Sequence, residues 1–73
     1  MNLITVKGLK DGSIVRGLLN YETEDAAVAA MYYELWYATS DANTTGLVCV
    51  IMRDDGTIVK TEKYAKEGSG AEV

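Results

Sequence analysis

The sequence predicts an α+β domain of ββαββ order, with a four-stranded, mainly antiparallel sheet and one helix packed on one face. Three observations carry this. Asp11-Gly12 separates the apolar-rich stretches 3–9 and 14–21, Asp55-Gly56 separates 47–52 and 58–64, and an alanine-rich segment with an acidic start lies between them. An Asp-Gly pair between two strand-like runs is a strong hairpin signal, because tight hairpin turns need backbone with positive φ.

In the first hairpin, a two-residue loop pairs Lys10 with Ser13, so Ile4, Val6 and Gly8 share a face with Val15, Gly17 and Leu19. The helix follows. Thr23 is placed to cap it, Glu24 and Asp25 put negative charge where the first N–H groups are unpaired, and the polar run 39–46 ends it, which gives a helix over roughly residues 24–39. Met31 at the centre of a buried stripe collects Ala27, Val28, Leu35 and Ala38, leaving Tyr33, Trp36 and Tyr37 on the far side and Tyr32 at the flank. In the second hairpin the same turn rule places Val48, Val50 and Met52 beside Val59 and Thr61. These two sets form the expected floor for the helix. The domain is expected to span 1–65, with 66–73 as a flexible tail that has nothing to bury.

The other sheet face then carries Leu3, Leu9, Ile14, Leu18, Leu47, Cys49, Ile51, Ile58 and Tyr64 among Thr5, Lys7, Arg16, Arg53, Lys60 and Glu62. An antiparallel sheet usually turns one polar face to water. This one does not, and side by side the hairpins would expose an apolar patch at or above ~400 Å², more than monomers ordinarily leave bare. Self-association is one account. The other is a bulged three-residue turn, which would slip one hairpin's register and mix the faces.

Composition narrows the function. The chain has 73 residues, no histidine and one cysteine, so neither an intrachain disulfide nor a zinc cluster is available as a staple. The missing imidazole removes the commonest general base, and no glycine-rich phosphate loop is present; no enzyme activity, cofactor or metal is expected. Cys49 lies among Val48, Val50 and Ile51 with no basic neighbour in sequence, which suits a small buried hydrophobe better than a nucleophile. Glu34 is the only charge in a thirteen-residue stretch and reads as solvent-facing or paired rather than as a general base. Asp54-Asp55-Gly56 lacks the later carboxylates of a calcium loop.

Net charge is −4, and residues 21–45 hold five acidic side chains and no basic one. Without a basic stripe, a nucleic-acid partner is not expected. The longest apolar run, 26–33, is eight residues, too short to span a membrane, and residues 1–10 lack the apolar core of a secretory signal; a cytoplasmic protein is the expectation.

The short Asp-Gly hairpin, the acidic-start helix through Glu24-Asp25-Ala26-Ala27-Val28-Ala29-Ala30-Met31-Tyr32-Tyr33 and the closing hairpin from Val48 to Lys60 together resemble small uncharacterised proteins of gut Firmicutes and their phages or mobile elements. The resemblance covers most of the chain. It implies a cytoplasmic accessory protein and brings no catalytic or binding residues with it.

The expected function is therefore a homo-oligomeric interaction module, a dimer or higher, with Leu3, Leu18, Cys49, Ile51, Ile58, Tyr64, Tyr33, Trp36 and Tyr37 at the interface and Leu18, Ile51 and Ile58 as anchors. Two other readings stand beside it. The acidic helix could dock on a basic protein partner as a mobile-element regulator or inhibitor, or Tyr33, Trp36 and Tyr37 could hold a small ligand.

Overall fold

A computed structural model of the chain describes residues 1–66. Its elements are β1 (Asn2–Leu9), β2 (Ile14–Asn20), α1 (Glu24–Ser40), β3 (Thr44–Met52) and β4 (Ile58–Ala65). The four strands form one antiparallel sheet in the order β2-β1-β3-β4, so the fold is the α+β, ββαββ arrangement that the hairpin and helix signals predict. β1 and β3 are central. They join the two hairpins, and because β2 and β3 both oppose β1, they run parallel to each other with β1 between them.

The helix begins where its capping chemistry puts it. Thr23 Oγ1 accepts the Ala26 N–H at 3.1 Å, and Glu24 and Asp25 occupy the first turn. At the other end the chain turns through Asp41, whose carboxylate accepts the Asn43 N–H and the hydroxyl of buried Thr44, each at 3.0 Å. The Asp41 and Thr44 N–H groups bond backbone carbonyls, Ala38 O at 3.4 Å and Asp41 O at 3.1 Å. Ala27, Met31 and Ala38 are fully buried, with Val28 and Leu35 half-buried beside them, which is the expected stripe.

Under that stripe the face assignment differs from the expectation. The core beneath α1 is Leu3, Leu47, Cys49 and Ile51, all essentially inaccessible, with Tyr64 half-buried against them. Ile4, Val6, Val48, Val50 and Met52, expected as the floor, point the other way. In the first hairpin the cause of the slip is loop length. Leu9 donates to Ser13 O and Gly12 N–H to Leu9 O, both at 2.9 Å, so the loop is the three residues Lys10-Asp11-Gly12, with Gly12 at φ +90°. This is the bulged turn, and it pairs Val15 with Lys7 where a two-residue loop would pair it with Gly8.

The polar residues on the covered face explain the rest of the misassignment. Lys7 and Lys60 lie on the helix side at its margins, with their ammonium groups 5.6 Å from the Tyr37 ring and 5.8 Å from the Tyr32 ring. Their stems cover apolar surface while the charges reach water over aromatic faces. A face with lysines at its borders can still be a core. Of the expected tail, residues 67–73 lie outside the described residues, whereas Lys66 donates from its backbone N–H to Thr45 O at 2.9 Å and from Nζ to Asp41 O at 3.1 Å.

Candidate interaction surfaces

Register fixes what the uncovered sheet face presents. Paired residues share a face, so four cross-strand rows can be read: Ile14, Gly8, Gly46 and Ala65; Arg16, Val6, Val48 and Lys63; Leu18, Ile4, Val50 and Thr61; Asn20, Asn2, Met52 and Ile58. Apolar side chains fill the middle. Arg16 and Lys63 end one row on the two edge strands, and no strand position on this face is acidic. One end is closed by a polar ladder in which Asn20 Nδ2 donates to Asn2 Oδ1 at 2.9 Å and Asn2 Nδ2 donates to Asp54 Oδ1 at 3.0 Å. A shallow depression of about 460 Å³ lies along Asn2, Ile4, Arg16, Gly17, Leu18 and Met52. It is open and mostly apolar, with no convergent polar groups that would orient a small ligand.

The nine residues expected at an interface fall into three places. Leu3, Cys49 and Ile51 are fully buried beneath α1, and Tyr64 sits half-buried at the same core, so these four are structural in the single chain. Leu18 and Ile58 stand on the open face, 68% and 60% exposed. Tyr33 and Trp36, with ring centroids 5.9 Å apart, are exposed on the outer side of the helix, and Tyr37 is exposed at its flank over Lys7. Ile51 is thus lost as an anchor. Ile4, Val6, Val48, Val50 and Met52 take the places of Leu3, Cys49 and Ile51 on the open face; the loop count does not decide that exchange in β3, since beyond Val59 the β3–β4 pairs are those a two-residue loop would give.

A third surface was not legible. α1 packs chiefly on β3, with β1 and β4 beside it, and leaves Val15 and Leu19 of β2 about half exposed on the helix side. A helix ~10 Å across cannot roof four strands spaced ~4.8 Å apart.

The buried thiol is chemically quiet. Burial first, then the charges of Glu34 and Glu62, push the Cys49 pKa up to about 11, so little thiolate forms at neutral pH. Among the described residues no three acidic, histidine or cysteine side chains come together in a way that could hold a metal ion. No helix there is long and apolar enough to cross a membrane. No protein-family model matches the chain, and neither a curated protein nor a solved structure matches it.

Proposed function

We propose that this protein is a small interaction module without catalytic activity that associates with copies of itself by burying the open face of its sheet. The observation that carries the reading is the uncovered set Ile4, Val6, Ile14, Leu18, Val48, Val50, Met52 and Ile58, contiguous across all four strands on the side opposite the helix. Four strands at ~4.8 Å and four rows at ~6.8 Å make a face of about 19 by 27 Å, in the range that marks association sites. A small domain also gains most from a partner, since its own core supplies only a few kcal/mol.

Sedimentation over a concentration series tests this. Leu18→Glu and Ile58→Glu are each expected to lower the mass of the wild-type assembly, while Lys10→Glu in the exposed first turn leaves it unchanged. A wild type that remains monomeric at about 100 µM, where even micromolar association is nearly complete, would overturn the reading.

A second reading has its own support. Glu22, Glu24 and Asp25 are exposed around the start of α1 with no basic side chain between residues 21 and 45, an arrangement suited to a basic protein surface, and it fits the accessory role that the resemblance to phage and mobile-element proteins implies. Capture of such a partner would weaken steeply with salt.

A further inference from the structure

The two edges of the sheet are built differently. β4 carries Lys60, Glu62 and Lys63 and a register irregularity opposite Ile51 and Met52, features that discourage another strand from pairing. β2 has no proline and no bulge, and Arg16 is its only charge. Its bonding pattern is also decided. The bonded pairs Met1–Tyr21 and Leu9–Ser13 bracket the ladder, and bonded pairs recur at every second residue, so Val15, Gly17 and Leu19 spend their backbone groups on β1. The N–H and C=O groups of Ile14, Arg16, Leu18 and Asn20 point out of the sheet.

We infer that β2 pairs antiparallel with β2 of a second copy about a two-fold axis at Gly17, joining two sheets into one of eight strands. This rests on the self-association proposed above but uses a different contact, the edge rather than the face. Three registers bring outward groups opposite outward groups near the strand centre. Centring on Arg16 opposes two guanidinium groups, and centring on Leu18 sets Ile14 against Glu22, outside the strand. Centring on Gly17 engages all four outward residues, Ile14 with the partner's Asn20 and Arg16 with the partner's Leu18, and leaves none over.

On the helix side the same register sets Val15 against the partner's Leu19, covering the two apolar side chains of β2 that α1 does not reach. Gly17 meets its own copy at the axis in a close non-bonded pair, where Cα atoms approach to ~4.5 Å. Both helices then stand on one side of the joined sheet, with Val15 and Leu19 of both copies as the floor between them and Tyr37 flanking it over Lys7.

Cysteine cross-linking reads the register directly. A mixture of Val15→Cys and Leu19→Cys chains is expected to give a 1:1 disulfide-linked pair under mild oxidation, because that non-bonded pair brings Cα atoms within disulfide range. Either variant alone is expected to stay unlinked, since its own cysteines would lie about four residues apart along the strands. Cys49, buried and with its thiol pushed up to about 11, leaves the wild type as a clean blank. Arg16→Pro removes an outward donor without touching the β1 ladder and is expected to abolish the link while keeping the native circular dichroism. Ile58→Glu, which breaks the face contact on the far strand, is expected to leave the link in place.

No mixed link, or a link formed equally by one variant alone, overturns the edge pairing. If the wild type still sediments as an assembly in that case, the open-face contact stands without it; a monomeric wild type removes both.

Discussion

The first and second hairpins are closed by the same chemistry and diverge one residue later. Lys10-Asp11-Gly12 and Asp54-Asp55-Gly56 are both three-residue loops: Leu9 N–H bonds Ser13 O at 2.9 Å and Arg53 N–H bonds Thr57 O at 2.8 Å, while Gly12 N–H bonds Leu9 O and Gly56 N–H bonds Arg53 O, each at 2.9 Å. The Asp11 and Asp55 carboxylates each accept the N–H two residues on at 2.9 Å. In β2 the offset this loop creates persists through Asn20. In β4 it is cancelled at once, because Met52 pairs with Ile58 but Ile51 pairs with Lys60, and Val59 is the extra residue. One inserted residue decides which side chains lie on the helix side of the sheet. Lys60, Glu62 and Tyr64 do so in β4, and Val15, Gly17 and Leu19 in β2, where α1 does not reach them.

Deleting one residue from each strand separates the two cases and has the largest expected effect. Removing Val59 takes out the bulge and leaves the Ile51–Lys60 pair and every pair beyond it unchanged, at a cost of about 1 kcal/mol for a half-buried valine. Removing Val15 has no bulge to absorb it. It moves Arg16, Leu18 and Asn20 to the helix side and displaces the Met1–Tyr21 link, which is expected to cost on the order of 3 kcal/mol. Thermal melts check the ratio, since 1 kcal/mol corresponds to roughly 4–8 °C in a domain of this size. Equal losses would mean that Val59 is not acting as a bulge.

The turn glycines sharpen the likeness rather than the difference. Gly12 and Gly56 sit at φ +90° and +94°, with open space where a Cβ would go, so an alanine at either suffers backbone strain and no clash. Gly12→Ala and Gly56→Ala are each expected to cost about 1–2 kcal/mol, by nearly the same amount, and to add in the double variant. Denaturant midpoints would show it.

How much could be read in advance follows from the same contrast. Turn position, the Thr23 cap and the 27-31-38 stripe are local in sequence, and the strands and helix formed where those signals put them. Facing is not local. It depended on a count of loop residues that Asp-Gly leaves open between two and three, and on whether Lys7 and Lys60 marked a solvated face or the margins of a covered one. Nor was strand order, since the β1–β3 pairing joins residues as far apart as Asn2 and Met52 and leaves no trace in either hairpin. An apolar face does lie opposite the helix, but of the six sheet residues expected at its interface only Leu18 and Ile58 are there, and Leu3, Cys49, Ile51 and Tyr64 belong to the core.

The smallest expected effect concerns the turn carboxylates. Asp11 is held below its ordinary value of 3.8 by the hydrogen bonds from the Ser13 hydroxyl and N–H, and Asp55 by the Thr57 N–H first and then its hydroxyl, with Arg53 adding a little. A lowered folded-state pKa means stability that is complete above the ordinary value and drains away as pH falls through the lower one. Both groups are solvent-exposed, so each contribution is slight. Asp11→Asn and Asp55→Asn keep an acceptor oxygen for the same N–H, and each is expected to leave the melting temperature near its neutral-pH value while reducing its decline below about pH 4. Because the two turns share their bonding, the two reductions are expected to match; if only Asp55→Asn shows one, Arg53, whose charge acts on Asp55 while no cation contributes to the lowering at Asp11, supplies the effect and the turns are less alike than their hydrogen bonds imply.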